Sequence, residues 1–226
     1  MDRRELLRKI PLFSPLSDEI PSNLYSTVRL QKIKQGQVIF RKGDEGTALY
    51  ILRSGTIKIV LPSRLGAEII ISIFSDGDFF GEMALLDGEP RSADAVAIKP
   101  SELLVLSRND FLSFLQSDVN AVNAILSVLT KRMRKTHDLL EDVCFLTISQ
   151  RLSKLILELG KIYGRNEGDS IILDISLTQK ELGDMIGATR ESINKELKML
   201  RERGLIEMKG NQIQICDLSR LKRKAR

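Results

Sequence analysis

The chain has 226 residues, more than one domain usually holds, so two domains of ordinary size are the first expectation. Its 42% apolar and 29% charged residues are typical of a globular protein; no apolar run is long enough to cross a bilayer and the first residues carry no secretory pattern, so a cytoplasmic protein with no membrane partner is expected. Charge is uneven: from Ser176 onward twelve basic residues face seven acidic ones, a surplus equal to the whole chain's net +5, so polyanion-seeking charge sits in the last quarter.

In chain order, the first twenty-odd residues read as a short helical pair, with Leu6, Leu7 and Ile10 on one face and Pro11 and Pro15 interrupting it. Short β-prone runs follow at 28–30, 38–40, 48–52, 56–61, 68–74, 92–98 and 103–107, punctuated by Gly36, Gly43, Gly46, Gly55, Gly66 and Gly77. That pattern reads as a β-sandwich or small barrel.

Within it, residues 79–93 read FFGEMALLDGEPRSA. Gly81 lacks a Cβ and lets backbone approach an anion. Met83 and Ala84 open a brief helix, 83–86, whose free N–H groups can face it. Glu82 can accept from a sugar hydroxyl, Arg91 offers a guanidinium fork to phosphate oxygens, and Ser92 adds a hydroxyl and an N–H. The plainer alternative is a glycine-rich loop in which Glu82 and Arg91 form a salt bridge. A hydrolytic site built on Glu82, Asp87 and Ser92 would have no histidine or metal ligand beside it, so no catalytic residue is assigned.

From Asn109 the period becomes helical. Val122, Leu126, Leu129, Met133, Thr136, Leu140 and Val143 alternate steps of four and three, the seam of a coiled coil, which implies a homodimer through residues 119–143. The alternative is that this stripe packs on the chain's own β-domain. Thr136 is the polar member of the seam and either meets a ligand or bonds its own preceding turn. His137 is the only histidine, and with no companion ligand it points to neither haem nor metal. Cys144 and Cys216, read as reduced packing residues in apolar surroundings, form no metal or cluster motif. A hinge is expected at 143–145. A second amphipathic helix, with Leu152, Leu155, Ile156 and Leu159, should stop at Gly160, and an exposed loop, 163–170, should precede a strand at 171–175.

Thr178 and Glu181 form a capping box that opens a helix with Gln179, and Leu182, Met185 and Ile186 are its buried face. Gly187 makes the turn and Thr189 caps a second helix, 190–203, with Ile193, Leu197 and Leu200 inward and Arg190, Glu191, Asn194, Lys195 and Lys198 outward. This is a helix-turn-helix able to enter the major groove of double-stranded DNA, where Arg190 suits guanine and Glu191 suits cytosine. A solvated hairpin with Glu191 and Lys195 paired is the alternative. The segments 205–208 and 212–215 form a hairpin, the wing of a winged helix.

The ungapped run 79–93 resembles the phosphate-binding cassette of cyclic-nucleotide-binding domains. With the seam helix and the helix-turn-helix, the whole chain resembles the cyclic-AMP receptor protein (CRP/FNR) family of bacterial transcription regulators. That resemblance implies an α+β fold: an N-terminal double-stranded β-roll (1–108), a dimerisation helix and hinge (109–144) and a C-terminal winged helix-turn-helix (145–226). It implies cyclic AMP as allosteric effector, held by Gly81, Glu82, Met83, Ala84, Arg91 and Ser92, with Thr136 meeting the adenine, and it implies contact with RNA polymerase. The DNA half-site would be TGTGA-like, read as an inverted repeat with half-sites about 10 bp apart through Thr178, Gln179, Thr189, Arg190, Glu191, Asn194, Lys195 and Lys198. Two positions depart from the cyclic-AMP receptor pattern: His137 replaces a serine that reaches the partner's nucleotide, and Lys195 replaces an arginine. A regulator active without ligand, or answering to another small effector, is therefore kept open. Some relatives hold iron and sulfur in an N-terminal cysteine cluster; with no cysteine before Cys144, that cluster is not expected here, nor is a metal or haem.

Overall fold

A computed structural model describes residues 27–63, 68–168 and 170–225; the helical pair expected in the first twenty-odd residues lies outside them. The fold is α+β. Eight short strands come first: β1 (Arg29–Ile33), β2 (Val38–Phe40), β3 (Ala48–Ser54), β4 (Ile57–Pro62), β5 (Glu68–Phe74), β6 (Phe79–Phe80), β7 (Asp94–Ala97) and β8 (Ser101–Ser107). They form two antiparallel sheets, ordered β1-β8-β3-β6 and β2-β7-β4-β5. A four-residue helix, α1 (Met83–Leu86), lies between β6 and β7.

The reason β3 reads as a continuous apolar run is that both its faces are covered. Leu49 and Ile51 point to a cluster with Phe79, Leu106 and Phe111, whereas Leu52 points between the sheets toward Ile57, Phe74, Phe80 and Leu103. Alternation of period two thus supplies two cores. Tyr50 stacks on Phe80 at 5.4 Å between ring centroids, and Phe74 stacks on the same ring at 5.8 Å.

The helical run from residue 108 is two helices, not one. Asp118, in extended conformation, separates α2 (Arg108–Ser117) from α3 (Val119–Phe145), and the two meet at 113°. Ala121, Ala124 and Ile125 pack α3 on the β-domain core. The seam is a different face: Leu126 is 54% exposed, Met133 56% and Leu140 62%, a spacing of seven. Leu129, also in the seam, packs against that core, so the stripe covers the chain's own β-domain only in part. Cys144, expected as packing, is exposed. No single helix among the described residues is long and apolar enough to cross a membrane.

Contacts divide the chain into Met1–Arg134 and Lys135–Arg226. The second unit holds α4 (Ile148–Tyr163), the strands β9 (Gly164–Glu167), β10 (Ser170–Leu173), β11 (Ile206–Lys209) and β12 (Gln212–Ile215) in a sheet ordered β11-β12-β10-β9, the pair α5 (Gln179–Ile186) and α6 (Arg190–Glu202), and α7 (Leu218–Lys224), a helix the sequence pattern did not suggest. Helix α4 passes Gly160. That glycine is a close-packing site, where a Cβ would sit 2.9 Å from Ile215 Cδ1, and the helix ends at Gly164 instead. The expected loop at 163–170 is largely the strand β9 (Gly164–Glu167) paired with β10 (Ser170–Leu173). The wing hairpin is β11 (Ile206–Lys209) with β12 (Gln212–Ile215).

Between α5 and α6, Gly187 takes a left-handed conformation at φ 64°, which only glycine adopts without strain. Gly183 has no room for a side chain: a Cβ would lie 2.5 Å from the Ala188 carbonyl oxygen, and Ala188 N–H donates back to Gly183 O. Gly183→Ala gains up to about 1 kcal/mol of helix propensity but forces the turn's own backbone apart, at a cost of roughly 1–3 kcal/mol. The expected outcome is a lower urea midpoint with unchanged slope.

Candidate functional site: the cassette and the reader

The stretch 79–93 runs from β6 through α1 to the residue before β7. Gly81 has φ 84°, and a Cβ there would stand 2.7 Å from Arg91 Nη1, so glycine is required twice over. Ala84 is buried against Gly46, whereas Met83 is 51% exposed. Ser92 is exposed and its Oγ lies 3.7 Å from Met83 Sδ.

Arg91 is 3% exposed. Its Nη1 donates to Gly81 O at 2.5 Å and its Nη2 to Ala48 O at 2.7 Å, while the guanidinium carbon lies 4.3 Å from the centre of the Phe40 ring. Burial lowers the guanidinium's pKa, opposed by Tyr50, Glu82 and Asp44. Its Nε is buried and has no acceptor among the described residues. An unmatched N–H beside a positive charge is costly in a protein interior and is what an anionic oxygen would satisfy.

Glu82 does not pair with Arg91 in the manner of the plainer alternative. Its carboxylate, 5% exposed, meets Arg132 Nη1 of α3 at 2.7 Å. Arg132 Nη2 donates to Phe79 O, and the guanidinium lies 4.6 and 4.7 Å from the centres of the Phe74 and Phe79 rings. Sequence reasoning missed Arg132. The available signal was its position one helical turn before Thr136, on the same face of the helix. Thr136 and His137 are exposed on α3.

In the second unit the caps form as the sequence indicated. Thr178 Oγ1 accepts from Glu181 N–H at 3.2 Å, Glu181 Oε2 accepts from Thr178 N–H at 2.9 Å, and Thr189 Oγ1 accepts from Ser192 N–H at 3.2 Å. Ile193, Leu197 and Leu200 are buried; Arg190, Glu191, Asn194, Lys195 and Lys198 are exposed together. The Glu191 carboxyl is held below its ordinary pKa by its own backbone N–H and the Thr189 hydroxyl. Lys198 lies 3.8 Å from Glu202, and Gln179 bonds Asn194 across the turn.

Residues 30–118 match the cyclic nucleotide-binding domain family, and residues 150–224 match the Crp-like helix-turn-helix domain family. The chain is 30% identical over 222 residues to a CRP-like cAMP-activated global transcriptional regulator of Mycobacterium tuberculosis, covering 98% of this chain and 99% of that one. The chain belongs to the CRP/FNR family of transcription regulators. A second family member, the cyclic AMP receptor protein of Thermus thermophilus, is 29% identical over 93% of this chain and 94% of its own. Among solved structures, the c-di-GMP responsive global regulator CLP of Xanthomonas campestris shares the fold, with a TM-score of 0.76 at 23% identity, covering 85% of this chain and 95% of that one.

Within this CRP/FNR chain the Glu82–Arg132 pair carries a stability test. Removing one partner of a buried pair leaves an uncompensated charge and costs about 3–5 kcal/mol. Arg132→Ala should destabilise the protein by that order, and adding Glu82→Gln to it should restore part of the loss, both read by urea unfolding.

Proposed function

We propose that the protein is a homodimeric, sequence-specific DNA-binding regulator controlled by a cyclic nucleotide, cyclic AMP in particular. The single observation that carries the effector reading is the Arg91 Nε in the cassette, a buried donor with no acceptor among the described residues. Gly81, Glu82, Met83, Ala84, Arg91 and Ser92 are the proposed cradle. Arg91 would hold the cyclic phosphate with Ser92, Glu82 would accept from the ribose, and Thr136, one turn beyond Arg132 on α3, would meet the base. The M. tuberculosis relative's name supports cyclic AMP as the effector. The CLP regulator responds to c-di-GMP, so that ligand is the rival to exclude.

The exposed seam of Leu126, Met133 and Leu140 supports a parallel pairing of two copies through 119–143. The proposed working parts are the roll (1–108), the seam helix and hinge (109–144) and the reader (145–226), located in the cytoplasm with RNA polymerase as a further partner. A dimer places two α6 helices on an inverted repeat, and TGTGA-like half-sites about 10 bp apart suit Arg190 and Glu191. Thr178, Thr189, Asn194, Lys195 and Lys198 would complete the contact with bases and phosphates, with Gln179 beside Asn194 at the start of α5. Lys195 supplies a point charge without a fork, which relaxes preference at its base.

Calorimetry on the purified protein tests the pocket. Cyclic AMP should bind saturably at one site per chain, and Arg91→Ala should abolish the heat while circular dichroism stays native. Heat from c-di-GMP alone, or none from either nucleotide, would remove cyclic AMP as effector. For the reader, Arg190→Ala should cost roughly 1–3 kcal/mol of discrimination at one guanine, measured by competition between DNA duplexes.

A further inference from the structure

The turn of the reader brings two side-chain amides together. Gln179, the first residue of α5 and half-buried, donates from Nε2 to Oδ1 of Asn194 on the exposed face of α6, at 3.3 Å. We propose that these amides read one base pair as a unit. Gln179 is a positioning residue that holds Asn194 with its Nδ2 donors turned to the major groove, where they select a base with an acceptor edge and disfavour cytosine.

This inference rests on the reading of α6 as the DNA-contacting helix and deepens it. A lone asparagine discriminates poorly, because rotating the amide presents either an acceptor or a donor to the same place. A fixed neighbour removes that ambiguity. Here the neighbour's backbone is fixed, since Gln179 follows Thr178, whose capping box with Glu181 locks the start of α5, and Gly187 with the tight Gly183–Ala188 contact sets α5 against α6, while its Nε2 donates to Asn194 Oδ1. Asn194 lies one turn from Arg190 and one turn from Lys198, so it occupies the middle of the outward stripe between two cations. With Oδ1 accepting from Gln179, the free hydrogens are those on Nδ2. In the major groove, guanine N7 and O6, adenine N7 and thymine O4 accept, whereas cytosine presents only its N4 donor.

The experiment is competition binding of the full-length protein, with cyclic AMP present, to duplexes varied base by base across one half-site. The wild type should disfavour cytosine about tenfold at one position. Gln179→Ala should reduce that preference to within about twofold, leaving the other positions and the salt dependence unchanged. Gln179→Glu is the sharper variant. A carboxylate cannot donate, so it draws the Asn194 amide hydrogens to itself and turns Oδ1 outward, and the preference at that position should move toward cytosine. In an Asn194→Ala background, Gln179→Ala should add nothing.

A Gln179→Ala protein that weakens all sequences alike with a shallower salt slope would make Gln179 a phosphate contact and overturn the proposal. So would independent, additive effects of the two substitutions. A wild type with no base preference anywhere in the half-site overturns the reader itself; preference intact at the Arg190 position with no Gln179–Asn194 coupling overturns this inference alone.

Discussion

The pairing of Glu82 with Arg132 joins the cassette to the long helix, with the Phe74 and Phe79 rings packed against the guanidinium. A buried carboxylate is tolerable only with a partner, and here the partner comes from α3, fifty residues along the chain. Arg132 reaches it by lying over Phe74 and Phe79 and donating to Phe79 O, so two rings, a backbone carbonyl and a carboxylate fix one side chain. Whatever competes for Glu82 therefore acts on the helix as well as on the roll.

Arg91 shows the same economy of charge. Two carbonyls and the Phe40 ring hold its guanidinium inside the wall, and Gly81 is the residue that makes room. Helix α3 in turn divides its surface, with Ala121, Ala124 and Ile125 inward and Leu126, Met133 and Leu140 outward. In the second unit the buried stripe of α6 fixes which polar residues face out, and backbone geometry at Gly183 and Gly187 fixes the turn that presents them.

Much of this was legible in the sequence where local chemistry decides the outcome. Thr178 with Glu181, Thr189, and Gly187 carry caps and a turn in their own side chains and φ preferences. The β-prone apolar run of β3 and the i, i+4, i+7 spacing of Ile193, Leu197 and Leu200 announce buried elements. Legibility failed where tertiary contact decides. Gly160 looks like a terminator but is kept small by Ile215; the polar run after Tyr163 looks like a loop but pairs with β10; Asp118 breaks a helix whose pattern continues through it. Arg132 looks like one more cation on a charged helix, and its partner Glu82 is too distant in sequence for any periodicity to connect them.

The central claim is that an anionic nucleotide in the cassette controls how tightly the reader holds DNA. Its most direct test is the affinity of the purified protein for a labelled inverted-repeat duplex, titrated by fluorescence anisotropy at one fixed salt concentration with and without saturating cyclic AMP. Coupling between the two ligands should tighten binding by roughly 5- to 150-fold. Identical isotherms, with cyclic AMP bound to the protein in both the presence and absence of DNA, would contradict it.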